Sequence, residues 1–250
     1  MHSCEYNVPE ENEIYVVILL PKNNRYLASY SKVRPAINVS LSKIKELGLL
    51  PNIKFNITDA ADTKCDSDPS IWEAVKAYIE LPVHLFLGPS CDYAVAPIAR
   101  LLKYMKIPMI TAGALAMDFN RKDRKDGSSE YFMLVRTGWI FKGMANILDH
   151  IFKRFNWKKI VVLFQADGRR DIMKEHYCSL SAKSIIDVIF PRKNCTIRQQ
   201  KLPENFTMEN AEEVTKTYIG RDYGGAGADL ISVSIAQAGY ELLNVSCRQL

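Results

Sequence analysis

Leu85-Phe-Leu-Gly-Pro-Ser-Cys-Asp-Tyr-Ala-Val-Ala-Pro-Ile-Ala-Arg100, running on to Ile107-Pro-Met-Ile-Thr-Ala-Gly-Ala114, decides the fold. A short apolar run breaks at Gly88-Pro89, and apolar residues then recur at helical spacing through Ala94, Ile98, Leu101, Leu102 and Met105. Pro108 ends that pattern, because proline drives the residue before it out of the helical region, and a second apolar run begins. The unit reads strand, loop, helix, strand. Ser90 to Tyr93 then fall at the carboxyl end of a strand and the start of a helix, where open α/β sheets bind their ligands.

Outward from this unit the same alternation continues. Residues 14–20 form an unbroken apolar run suited to a strand buried on both faces. Val33, Ile37, Leu41, Ile44 and Leu47 recur at helical spacing up to Gly48, a good residue to follow a helix. Ile53, Phe55 and Ile57 alternate as a strand, and Asp68-Pro69 predicts an N-cap with proline at the first helical position. Residues 83–87, 91–106 and 107–111 complete a βαβαβαβ series, which implies a mainly parallel sheet with helices on both faces. A polar loop over 115–130 leads to a strand at 131–136. The spacing predicts a helix over 141–155, a strand over 160–164, a helix over 172–185 and a strand near 184–190. A helix over 211–219 and a strand over 228–235 follow. The expected organisation is a tail over 1–13, a first α/β lobe over 14–136 and a partial second α/β lobe over 137–250.

At 250 residues the chain can bury a sizeable core, and 48% hydrophobic with 24% charged residues is an ordinary globular composition. The net charge of +5 is mild, and aspartates interrupt the basic run 121–126, so no nucleic-acid surface is expected. Six scattered cysteines, none in a C-x-x-C pair, argue against a structural zinc site, and no metal site is expected. Five N-x-[S/T] sequons begin at Asn38, Asn56, Asn194, Asn205 and Asn244. About one or two would arise by chance, so the excess points to the secretory pathway. No run reaches the roughly 18 apolar residues of a membrane span, and the N-terminus lacks the profile of a signal peptide. A secreted reading therefore expects both of those segments to lie outside this sequence.

The pattern Gly88-Pro-x-Cys-x-Tyr-Ala-x-Ala-Pro-x-x-Arg100, followed by Pro108-Met-Ile-Thr-Ala-Gly-Ala114, resembles the extracellular hormone-binding region of the natriuretic peptide receptors and receptor guanylyl cyclases, most closely the clearance-receptor branch. The resemblance extends back to Val33-Arg-Pro-Ala-Ile37 and forward through Glu130-Tyr131, Arg136 and Phe155-Asn-Trp157, fading after about residue 180. It implies a type I periplasmic-binding-protein-like fold of two Rossmann-like lobes, the second incomplete here. It further implies a peptide hormone as ligand and a homodimer in the parent, with signalling by dimer rearrangement. The parent would sit on the extracellular side of the plasma membrane, attached through a segment absent here.

Particular residues inherit expectations from the same resemblance. Cys65 and Cys91 are expected to form a disulfide. Ser90 and Cys91, opening a helix, match amides that bind chloride, although the loop 58–63 carries Asp59 and Asp62, whose repulsion should weaken an anion. Chloride is the one candidate ion, and no cofactor is expected. Tyr93, Arg100, Glu130 and Tyr131 match the ligand and dimer surface. Residues 124–129 look like an insertion ahead of Glu130. After Cys178 the receptors carry an aromatic residue where this chain has Ser179, which predicts weak retention of a natriuretic-type hormone.

Enzyme chemistry finds little support. His2, His84, His150 and His176 stand apart from any nucleophile motif, and neither G-x-S-x-G nor H-E-x-x-H occurs. Gly224-Gly-Ala-Gly227 precedes a predicted strand, the wrong order for a dinucleotide cradle. The competing readings are a small-molecule sensor of the same fold, of the metabotropic-receptor or solute-binding type, and a cytosolic Rossmann-like enzyme.

Overall fold

A computed structural model describes residues 12–120, 129–191, 195–204, 208–214 and 216–217. The chain divides into two compact units, Met1–Trp139 with Asp171–Met173, and Ile140–Arg170 with Lys174–Leu250.

The first unit is built on β1 (Glu13–Ile18), α1 (Tyr30–Glu46), β2 (Lys54–Asp59), α2 (Ser67–Glu80), β3 (Leu85–Leu87), α3 (Asp92–Met105), β4 (Met109–Thr111) and β5 (Leu134–Arg136). All pairings are parallel, in the order β2-β1-β3-β4-β5. Handedness then assigns the helices to faces. A right-handed crossover from β1 to β2 runs one way across the sheet, and those from β2 to β3 and from β3 to β4 run the other way. Accordingly α1 lies on one face, while α2 and α3 pack together on the opposite face. The direction of winding reverses between β1 and β3, which makes the loops after those strands the topological switch point.

Two glycines are needed there. At Gly88 (φ +92) a Cβ would lie 2.1 Å from the Leu19 carbonyl oxygen, and at Gly113 a Cβ would lie 1.7 Å from that of Ser90. Cys65 and Cys91 are disulfide-bonded across a separation of 26 residues, tying the loop after β2 to the start of α3. On the chain-entropy account such a closure stabilises by roughly 3–4 kcal/mol.

The cap of α2 differs from the expectation. Asp66, not Asp68, is the N-cap, accepting from the Asp68 amide at 3.4 Å. Pro69 sits at the third helical position, still within the first turn, where amides have no helical acceptor.

The second unit contains α4 (Phe141–Arg154), β6 (Lys159–Phe164), α5 (Tyr177–Ile189), β7 (Thr196–Lys201) and α6 (Met208–Val214), with β6 and β7 paired in parallel. Its core joins Ala145 and Phe152 of α4, Ile160 and Val162 of β6, and Ala182, Ile185 and Ile189 of α5. The helix expected at 172–185 begins later and absorbs residues 184–189, expected as strand. Cys178, Ala182, Ile185 and Ile189 recur at helical spacing and are all buried, so packing overrides the β-branched preference of that run. The strand expected over 228–235, residues 124–128 of the insertion expected over 124–129, Gly224 to Gly227, and the sequons at Asn194, Asn205 and Asn244 lie outside the described residues. Among the described residues no helix is long and apolar enough to cross a membrane.

Candidate functional site

At the switch point of the first unit, α3 starts at Cys91, whose backbone is extended and which makes no side-chain cap. The Ser90 hydroxyl donates to the Ala28 carbonyl at 3.1 Å, and the Asp92 amide faces Met173 Sδ at 3.3 Å. Asp92 is buried in the first turn of α3, and its carboxylate accepts from the amides of Leu115 (2.8 Å) and Ala116 (2.7 Å). Burial pushes this carboxyl up to about 6, against the opposing pull of the two amides and Arg136. Arg136 in turn donates to the Ala114 carbonyl at 3.0 Å and to Asn120 Oδ1 at 2.5 Å. The segment 114–120 is thus gripped from α3 and from β5. In the loop after β2, Asp59 accepts from the Tyr30 hydroxyl at 2.7 Å, and Asp62 accepts from the amides of Lys22 and Lys64.

Further along α3 the structure joins three of the four expected ligand-surface residues. Arg100 Nε bonds the Glu130 carboxylate, Arg100 Nη2 donates to the Tyr131 hydroxyl at 2.9 Å, and the guanidinium lies 5.5 Å from the centre of the Tyr131 ring. Glu130 holds the Arg100 guanidinium more firmly protonated, and burial raises the Tyr131 phenol. Tyr131 is buried and meets Phe119 edge-on at 4.7 Å between ring centres. Phe119 belongs to a short 3-10 turn over Met117–Asn120, so the cluster rests on the segment held by Asp92 and Arg136. Tyr93, the fourth residue, lies two turns before Arg100 on the same line of α3.

That line is half-open to solvent. Tyr93 is 47% exposed and Tyr104 82%, and on α2 Trp72 and Ile79 are 66% and 74% exposed. Four large apolar side chains on two adjoining helices make a surface suited to a partner. The resemblance reached Tyr93 and Arg100. Arg136 was reached by the resemblance without a role, and Trp72, Asp92 and Phe119 went unnoticed, although Trp72 and Ile79, seven residues apart, carry a periodic signal for an outward apolar stripe.

On the other face of the sheet, a cavity of about 510 Å³ separates α1 from the strands. Val33, Ile37, Leu41 and Ile44 of α1 line one side, and Phe55, Leu85, Leu87 and Ile110 line the other. No residue of α1 is buried.

In the second unit, Cys178 is buried and free, with its thiol pushed up to about 11 by burial. Ser179 donates to the His176 carbonyl at 3.1 Å. Asp167, in the loop after β6, accepts from the His176 amide at 2.6 Å. Among the described residues no group of three or more His, Cys, Asp or Glu could hold a metal ion. Of the two described sequons, Asn38 is exposed on α1, while Asn56 lies in the edge strand β2 with its amide donating to Glu13 at 2.9 Å.

Comparison with known proteins gives a consistent family. Residues 32–221 match the receptor family ligand binding region. Atrial natriuretic peptide receptor 3 of Rattus norvegicus is 33% identical over 162 residues, covering 62% of this chain and 29% of the receptor. Atrial natriuretic peptide receptor 2 of Anguilla japonica is 27% identical over 190 residues, covering 74% of this chain and 17% of the receptor. The chain thus spans less than a third of the length of these relatives. The match is to a ligand-binding region, and no catalytic domain is found in it. An ABC transporter substrate-binding protein of Desulfitobacterium hafniense superposes with a TM-score of 0.67 at 13% identity, over 95% of this chain and 63% of that protein. This likeness shows the fold, a periplasmic-binding-protein type I arrangement of α/β units.

Proposed function

The chain belongs to the receptor family ligand-binding regions and is related to the natriuretic peptide receptors, and from that premise we propose that it is the extracellular peptide-binding part of a membrane receptor that signals through rearrangement of a homodimer. The observation that carries this reading is the Arg100–Glu130–Tyr131 cluster. It sets a cation from α3 beside an anion and an aromatic ring from the segment before β5, the mixture with which proteins anchor peptide side chains and termini. The exposed stripe of Tyr93 and Tyr104, with Trp72 and Ile79 beside it, supports a twofold contact between copies, since a stripe of this kind can meet itself across a symmetry axis. The lobes at 14–136 and 137–250 are then the two halves of the binding region. Glycans at the sequons would fit an extracellular setting, and the exposed Asn38 is the better placed of the two described sites.

Ser179, in place of the aromatic expected after Cys178, removes one anchor, so affinity for natriuretic-type peptides should fall about thirtyfold, from nanomolar to tens of nanomolar. Calorimetric titration of the secreted chain with such a peptide tests this. Arg100→Ala should weaken binding about thirtyfold, the effect of losing an anchor of about 2 kcal/mol. Absence of any binding heat, or an Arg100→Ala titration indistinguishable from the parent's, would sink the proposal.

A further inference from the structure

We propose that the cavity between α1 and the sheet is a binding site for one long-chain monocarboxylate, its carboxylate at Lys32 and its alkyl chain directed toward Ile44. This goes beyond the peptide site, which lies on the opposite face of the sheet and uses none of these residues.

The cavity has the size and character of a ligand pocket. Its volume of about 510 Å³ falls within the roughly 300–1,000 Å³ typical of small-molecule sites. Its walls are apolar along most of their length, with Val33, Ile37, Leu41 and Ile44 facing Phe55 and Leu85. These α1 residues are only half-buried although they point at the sheet, as expected where a layer of ligand atoms belongs between helix and strands.

Charge is confined to one end, and the one polar side chain farther along, Ser40, is satisfied by donating to the Ala36 carbonyl at 2.9 Å. Because α1 runs antiparallel to the strands, its first turn lies at their carboxyl ends. There Lys32 is joined in the lining by Gly88, Thr111 and Thr137, which end or follow their strands. The last turn, with Ile44, lies near Phe55 and Leu85 at the amino ends of β2 and β3. Twelve residues of helix separate Lys32 from Ile44, about 18 Å of rise, so the space is long as well as apolar.

The charge selects the headgroup. Lys32 is the one charged residue in the lining, and no carboxylate accompanies it. Its ammonium is steadied by the carbonyls of Asn24 and Tyr26, each at 2.7 Å, and an ammonium has three N–H donors, so one remains for a ligand. The polar hydroxyls beside it are already committed. Thr111 donates to the Pro89 carbonyl at 2.6 Å, and Thr137 to the Thr111 carbonyl at 3.3 Å. A cation at the mouth of an apolar slot fits an anionic head on an apolar tail.

Native mass spectrometry of the full chain with hexadecanoate and with hexadecanol, each below its aggregation concentration, tests the assignment. One hexadecanoate per chain is expected. Lys32→Gln should weaken hexadecanoate at least tenfold and leave hexadecanol unchanged. Leu41→Trp, which fills the slot, should abolish both without altering the far-ultraviolet circular dichroism. Failure of the parent chain to take up hexadecanoate would overturn the proposal and leave the cavity to a protein segment or partner. So would equal loss of acid and alcohol in Lys32→Gln, or uptake untouched by Leu41→Trp. None of these outcomes bears on peptide binding, which is read separately through Arg100.

Discussion

The two faces of the first unit's sheet are covered in opposite ways. Phe86 and Met109 point toward α2 and α3 and are completely buried, while their neighbours Leu85, Leu87 and Ile110 point toward α1 and remain partly exposed. The helices repeat the contrast. α3 buries six residues and α1 buries none, yet both carry apolar residues at i, i+4, i+7 or i+8. Periodicity identifies which side of a helix is apolar. It does not determine how closely that side approaches the sheet, because the approach depends on the volume of what lies between.

The largest effect that would sharpen this contrast is a cavity cut on the tight face. Ile98, fully buried on α3, should lose about 4 kcal/mol of stability on replacement by alanine, since its surroundings have no slack to collapse. Thermal unfolding would register this as a fall of roughly 8–16 °C in Tm for a chain of this size. A fall of only a degree or two would mean that α3 is as loosely held as α1, and the contrast would disappear.

How much of this was legible before the structure differs between the same regions. The order of strands and helices in the first unit followed from local runs, because each strand is a short apolar segment and each helix a periodic one. The α2 cap did not, since Asp66 and Asp68 are both good caps and the choice rests on geometry two residues away. β7, Thr-Ile-Arg-Gln-Gln-Lys, escaped because its partner β6 supplies the buried apolar surface and leaves β7 a polar edge. Arg100, Glu130 and Tyr131 were reached through family resemblance, as periodicity cannot pair residues thirty positions apart. Asp92 gave no signal, because an acid in the first turn of a helix ordinarily faces water.

Asp92 offers the second, smaller test, for it is the electrostatic penalty of the tight face. Its carboxyl sits at about 6 in the folded chain against an ordinary value of 3.8. Between those values the folded protein keeps a proton that the unfolded chain has released. The stabilisation linked to this group is therefore full below about pH 4, falls as pH rises, and is gone above about 6. Asp92→Asn, uncharged throughout, removes that dependence. The stability difference between Asp92→Asn and the parent should shift in favour of the variant by about 2–3 kcal/mol from pH 4 to pH 7. Denaturant titrations of both proteins at the two pH values measure it. A difference that does not change with pH would mean that the carboxylate is solvated, and that the grip of α3 on residues 114–120 is looser than its two amide bonds indicate.

The smallest effect belongs to the open face and is the most discriminating. Ile37 points from α1 into the cavity, so shortening it to alanine removes contacts that are already incomplete and adds little to an existing space. In ligand-free protein the loss should be under about 1 kcal/mol, because the cost of a large-to-small change scales with new void rather than with the residue removed. The comparison with Ile98→Ala cancels chemistry, since both changes delete the same atoms from the same kind of helix. A loss at Ile37 equal to that at Ile98 would show that α1 closes onto the sheet in solution. The two faces would then be equivalent, and the slot proposed for a long-chain acid would have no room. A near-neutral Ile37→Ala whose stability falls well behind the parent's once hexadecanoate is added would instead place the missing packing in the ligand.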